Sequence, residues 1–183
     1  MSYAVTPDEL IRRYGLSGAV YFPRYEHRPR LHERTAGFLS AVGLPHNDEF
    51  MTRTEGEPIL LSEKFSDPEK DGVLPAECGS WLELGWFQHM TIALDPANGK
   101  VYVFPEGTPL DEYQPLHRDV ESLVYTLLAY EQFVAACGSG NDFDELESRF
   151  KDKIESFDPI PFSDEDSPWA RVIDDILESS WTA

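Results

Sequence analysis

Trp81-Leu82-Glu83-Leu84-Gly85-Trp86-Phe87-Gln88-His89-Met90-Thr91-Ile92-Ala93-Leu94-Asp95-Pro96-Ala97-Asn98-Gly99-Lys100-Val101-Tyr102-Val103-Phe104 is the stretch whose reading decides the fold. Two runs rich in β-branched and aromatic residues flank a strong turn signal, Asp95-Pro96-Ala97-Asn98-Gly99. Pro96 presets φ for a type I turn, and Gly99 can take the left-handed position that closes it. The Asp95 carboxylate can accept from the backbone N–H groups just ahead. A hairpin is expected, with Thr91–Leu94 and Lys100–Phe104 as its arms. Trp81–Leu84 is expected as a third strand, linked through Gly85 and the pair Trp86-Phe87.

Upstream, Thr6-Pro7-Asp8-Glu9 marks a helix start: Thr6 caps, Pro7 suits the first helical position and Glu9 closes a capping box. Ala19–Phe22 reads as a short strand. Leu31–Val42 reads as a helix, stopped by Gly43 and Pro45. Phe50–Thr52 and Ile59–Leu61 are candidate short strands, and Ser66 to Gly79 reads mostly as loop. Downstream, Pro105, Gly107 and Pro109 break the sheet. Asp119 opens the best helix, with Val120, Leu123, Val124, Leu127, Leu128 and Val134 at helical spacing, and Gly138-Ser139-Gly140 ends it. A second helix is expected over Phe143–Phe157. Trp169, Val172, Ile173, Ile176 and Leu177 mark a final amphipathic one. The fold class is therefore α+β: a mixed, mainly antiparallel sheet with a central hairpin, flanked by helices. One domain over residues 1–183 is expected, its C-terminal helical part covering 140–183.

Hydrophobic content of 41% and aromatic content of 13% place the chain among globular rather than disordered proteins. No apolar run approaches the ~20 residues of a membrane helix. The N-terminus has no basic segment followed by an apolar core, so a cytoplasmic location is expected. The net charge is −19 and uneven. Residues 1–60 hold 7 Arg against 8 Asp and Glu, whereas 61–183 hold 8 Lys and Arg against 26 Asp and Glu. Phosphates would be repelled, so the expected partner is a basic protein and not nucleic acid. The one basic stretch, Arg24 to Arg34, is read as a solvated face or a set of internal ion pairs.

No GxSxG elbow, Gly-rich phosphate loop or HExxH is present. Cys78 and Cys137, the 2 cysteines, form no CxxC and read as free thiols. Asp164-Glu165-Asp166 lacks the alternating ligands of a calcium loop. No catalytic residue, metal or cofactor is assigned, and the chain is expected not to be an enzyme.

Three pieces of the sequence share an order found in one family. Phe38-Leu39-Ser40-Ala41-Val42-Gly43-Leu44-Pro45 resembles an "FLxxxGLP" pattern. Trp81-Leu82-Glu83-Leu84-Gly85 with Ile92-Ala93-Leu94-Asp95-Pro96-Ala97-Asn98-Gly99-Lys100-Val101 resembles "WLxLG…IxLDPxxGxV". Phe157-Asp158-Pro159, then Trp169 and a terminal helix, completes the set. Together they are similar to the SUKH immunity proteins of the group-four branch, related to SMI/KNR proteins and common in actinobacteria. The long helix departs from the branch: His117-Arg118-Asp119-Val120-Glu121-Ser122 stands where a small polar start is usual. Trp86-Phe87-Gln88-His89 likewise replaces a short polar turn.

The resemblance implies an antidote that neutralises a secreted polymorphic toxin, often a nuclease or nucleic-acid deaminase, and a monomer is expected. The same fold also serves as a regulatory interaction module in other settings, which is the alternative. Glu106, Asp111 and Glu112 are the candidate toxin-binding carboxylates, because the prolines beside them push the segment off the sheet. Tyr113 and the pair Trp86-Phe87 are the candidate apolar anchors, although aromatic residues beside strands more often belong to a core.

Overall fold

In a computed structural model, which describes residues 2–22, 30–52, 59–138 and 142–181 (for 178–181 the backbone only), the predicted hairpin forms the middle of a five-stranded sheet. The described elements run α1 (Pro7–Tyr14), β1 (Ala19–Val20), α2 (Glu33–Ala41), β2 (Leu44–Pro45), β3 (Phe50–Thr52), α3 (Leu61–Lys64), α4 (Pro68–Asp71), β4 (Leu82–Phe87), β5 (Met90–Leu94), β6 (Val101–Pro105), β7 (Gln114–His117), α5 (Val120–Cys137), α6 (Phe143–Glu155) and α7 (Pro168–Trp181). The fold is α+β, and every described strand pairing is antiparallel. The large sheet is a meander in the order β3-β4-β5-β6-β7, and β1 pairs with β2 in a separate ribbon.

Local chemistry accounts for the ends of these elements. Thr6 Oγ1 accepts from the Glu9 N–H, and Glu9 Oε2 accepts from the Thr6 N–H at 2.8 Å, which completes the capping box. Asp119 Oδ1 accepts from the Ser122 N–H at 2.8 Å and caps α5. At the hairpin, Asp95 N donates to Lys100 O and Gly99 N donates to Asp95 O. The His32 N–H donates to Pro96 O, so the turn also anchors the start of α2.

Three expectations change. Gln114–His117 is a strand that the sequence conceals: Pro115 removes a ladder donor, and the segment has no β-branched residue. Only a strand at the sheet edge tolerates that. Ile59–Leu61 is not a strand. Leu60 makes a lone bridge to Leu82, and Leu61 already opens the short helix α3, where Glu63 accepts from the Leu60 N–H. Trp81–Leu84 with a linker is really one strand, Leu82–Phe87, interrupted by a bulge between Glu83 and Gly85. Of the basic stretch, residues 23–29 lie outside the described ones, while Arg34 pairs with the buried Glu121 at the start of α5.

The sheet has two unlike faces. The inner face (Leu84, Phe87, Ile92, Leu94, Val103) packs on α2, α5, α6 and α7 in a core that runs from Val5 to Ile173. Trp81, Ala93 and Phe104 on the outer face are covered by a smaller cluster that includes Leu61, Cys78 and Leu110. Gly99 sits at φ +78°, and a Cβ there would lie 2.8 Å from Thr35 Oγ1 on α2. Gly99→Val is therefore expected to cost about 1–2 kcal/mol or more. Thermal denaturation reads this directly, and an unchanged Tm would refute the left-handed turn.

Candidate functional site: the outer face of the sheet

Leu82 and Leu84 are two residues apart and both point inward, as a strand requires. Phe87, also inward, comes three residues after Leu84. The bulge takes up the odd residue. It turns the Phe87 ring into the core against Tyr130 and Trp169 and puts its neighbour Trp86 on the outer face. The Trp86-Phe87 pair thus divides: Phe87 is 2% exposed and is a core residue, while Trp86 remains half-buried.

The register then assembles a row across the outer face. Met51 lies opposite Trp86, Trp86 opposite Thr91, and Thr91 opposite Phe104. Directly opposed residues share a face. Phe104 in turn stacks on Tyr113, with ring centroids 5.4 Å apart. The two aromatic candidates, Trp86 and Tyr113, therefore stand toward opposite ends of one row. At the Tyr113 end Leu110 is buried, whereas Asp111 and Glu112 of the same turn are exposed. At the other end Met51 is 44% exposed.

The β4–β5 turn borders this face. Gln88 and His89 both have positive φ, 45° and 59°. A two-residue hairpin of this twist favours Asn-Gly, so Gln-His carries backbone strain here. His89 Nδ1 lies 3.4 Å from Glu106 Oε2, its ring meets Trp86 edge-on, and Gln88 donates to Glu49 at 2.8 Å. Glu106 is strongly exposed and its N–H donates to His89 O, so the hairpin tip positions this carboxylate. The sequence did not single out Met51, and it marked Gln88 and His89 only as part of the departure from the family's short polar turn. The spacing of Leu82, Leu84 and Phe87 around Gly85 was the available signal for the bulge.

A second constellation superficially suggests catalysis. His117, Ser122 and Asp158 meet in space, and Trp169 joins them. The wiring is not that of a nucleophile. The Trp169 indole N–H can only donate, so His117 Nε2 accepts it at 3.0 Å and Nδ1 carries the imidazole proton. Nδ1 lies 3.0 Å from Ser122 Oγ, and the Ser122 hydroxyl donates to Asp158 Oδ2 at 2.6 Å. A catalytic serine would donate to histidine, and here it donates to the carboxylate. All three groups are buried. Burial alone would raise the Asp158 pKa, but hydrogen bonds from His117, Ser122 and the Arg118 and Ile160 N–H groups hold it well below the usual carboxylate range. Burial lowers the His117 pKa against the pull of Asp158. Burial, reinforced by Glu77, pushes the Cys78 thiol up to about 11, which leaves it protonated and weakly nucleophilic at neutral pH. The arrangement is a structural tie between β7, α5 and the C-terminal helices.

Among the described residues no cluster of His, Cys, Asp and Glu could hold a metal, and no helix is long and apolar enough to cross a membrane. No curated protein and no solved structure gives a significant match to the chain. One family model does, that of the SUKH-4 immunity proteins, over residues 5–175. That span takes in the whole meander, the row on its outer face and both halves of the buried tie, and the chain belongs to the SUKH-4 immunity protein family.

Proposed function

We propose that this immunity protein neutralises a secreted polymorphic toxin that acts on nucleic acid, a nuclease or a deaminase, by covering the toxin's cationic active site with the outer face of its sheet. The observation that carries the reading is that Met51 and Trp86 at one end of the outer face and Tyr113 at the other reach the surface, while Thr91 and Phe104 between them are buried, and that exposed Glu106, Asp111 and Glu112 border them. Aromatic anchors within a polar rim are the usual anatomy of a protein interface. A toxin that binds phosphates presents positive charge, and a partner of net charge −19 is attracted to it at long range. In this reading the chain works as a single domain in the cytoplasm, as a monomer, without metal, cofactor or catalysis. Trp86 and Tyr113 are the anchors. Phe87, seated in the core against Tyr130 and Trp169, is not an anchor.

Association with the cognate toxin domain tests the reading. Reversing Glu106, Asp111 and Glu112 to Lys is expected to slow association about tenfold at low salt and flatten its ionic-strength dependence, with Tm unchanged. Trp86→Ala is expected to act on dissociation instead. An unaltered on-rate and salt slope in the triple variant would place the contact elsewhere. Absence of any binding would favour a regulatory module of the same fold.

A further inference from the structure

The opposite side of the molecule carries a feature of the other charge sign. Two adjoining grooves of about 380 and 330 Å³ run along α5, one toward α1 and one toward α6, and they share Ala129, Gln132 and Lys153. Their floor is apolar: Val5, Leu128 and Ala129 in the first, Leu146 and Phe150 in the second. Their rims are cationic. α1 supplies Arg12 and Arg13, and α6 supplies Arg149 and Lys153, one helical turn apart. Arg13 is engaged by Glu131 at 2.6 Å, and Lys153 lies near the Tyr125 ring and Gln132. Neither Arg12 nor Arg149 is within ion-pair distance of a carboxylate among the described residues, although the Thr6 hydrogen bonds, and after them the nearby Arg12, lower the pKa of Glu9. Glu9 is the lining carboxylate, and it is already held by the Thr6 cap. The acids of α6 (Asp144, Glu145, Glu147, Asp152, Glu155) do not line either groove.

We propose that this groove is a second docking surface and that its occupant is an acidic amphipathic helix of a protein partner. Its distinct position and sign make it independent of the face assigned to the toxin. An apolar floor between two helical walls matches the apolar stripe of a third helix. Cations on both walls match carboxylates flanking that stripe. In a chain of net charge −19, four cations gathered around one apolar channel give the surface its selectivity. A polyanion such as nucleic acid would gain from the rim but would meet the repulsion of the rest of the surface, and it offers no apolar stripe for the floor.

The test uses the full chain and a fluorescent 14-residue helical peptide with Leu at i, i+3, i+4 spacing flanked by Glu. Saturable binding is expected, with amide shifts confined to α1, α5 and α6. Replacing the Glu residues of the peptide by Gln, or Arg12, Arg149 and Lys153 of the protein by Glu, is expected to weaken binding about tenfold or more. These three side chains are exposed, and circular dichroism checks that the variant is folded. The proposal is overturned if the peptide does not saturate, if its shifts map outside the groove, or if the charge changes leave affinity as it was. It is equally overturned if a Lys-flanked peptide, anionic vesicles or single-stranded DNA bind the groove as tightly as the acidic helix.

Discussion

Asp158→Ala is expected to remove about 3–5 kcal/mol of stability, and Asp158→Asn distinctly less. Asp158 Oδ2 accepts from Ser122 Oγ and the Arg118 N–H, and Oδ1 from the Ile160 N–H. Alanine leaves these donors facing a cavity, at roughly 1–3 kcal/mol for each one that stays buried and unpaired. Asparagine keeps one oxygen and can lose only the Ile160 bond. A domain stable by about 5–15 kcal/mol notices the difference, and urea denaturation of the two variants measures it. The same tie predicts the acid limb of stability. The unfolded His117 has a pKa near 6.5, and burial lowers it in the folded state. The unfolded chain therefore takes up a proton first, and stability falls as pH drops below about 6.5. Asp158 has its folded pKa depressed below the unfolded value of about 3.9, so its stabilisation is present above that pH and is lost below it. His117→Gln should flatten the upper window and leave the lower one. If Asp158→Ala costs under about 1 kcal/mol, its donors have found other partners and the tie is not what fastens the C-terminal helices.

The second large effect is expected at Gly85. A Cβ there would lie 2.6 Å from Met51 O and 3.0 Å from Thr52 Cα, both backbone atoms of β3, and φ is +156°. No rotamer change can move backbone aside. Gly85→Val is expected to cost about 3 kcal/mol, from steric overlap and a backbone conformation that β-branched residues avoid. That corresponds to a fall in Tm of roughly 6–12 °C for a chain of this size. Faster hydrogen exchange at Phe50 and Thr52 would show that β3 has loosened from β4. Because the bulge sets the direction of Trp86, toxin binding should weaken as well. A Tm within about a degree of the parent would mean that β3 does not approach Gly85 so closely.

The parts of the fold legible in the sequence were those written in local chemistry. The turn of Asp95 to Gly99, the capping box at Thr6 and the helical period after Asp119 each act within a few residues, so they survive being read alone. β7 was hidden because its stability comes from β6 beside it and not from the propensities of Gln114, Pro115 or His117. The aromatic row was half legible. Trp86, Tyr113 and the exposed acids stood out by type, but the bulge that separates Trp86 from Phe87 depends on how β4 meets β5. The tie of His117, Ser122, Asp158 and Trp169 was illegible except as separate family-like pieces, because its members are joined only by folding.

That tie also sets a timetable for biosynthesis. His117 and Trp169 are 52 residues apart, and Ser122 and Asp158 are 36 apart. At roughly 5–20 residues per second, a growing chain that has already made His117 waits about 3–10 s for the indole that satisfies it. During that interval the inner sheet face has no Trp169 to close it, and the imidazole has no donor. A nascent chain can carry the residues of the outer face long before it holds them rigid. The ordered face is thus delivered late in translation, as a nearly all-or-none event, and a chain cut short before residue 169 is expected to be a substrate for proteases.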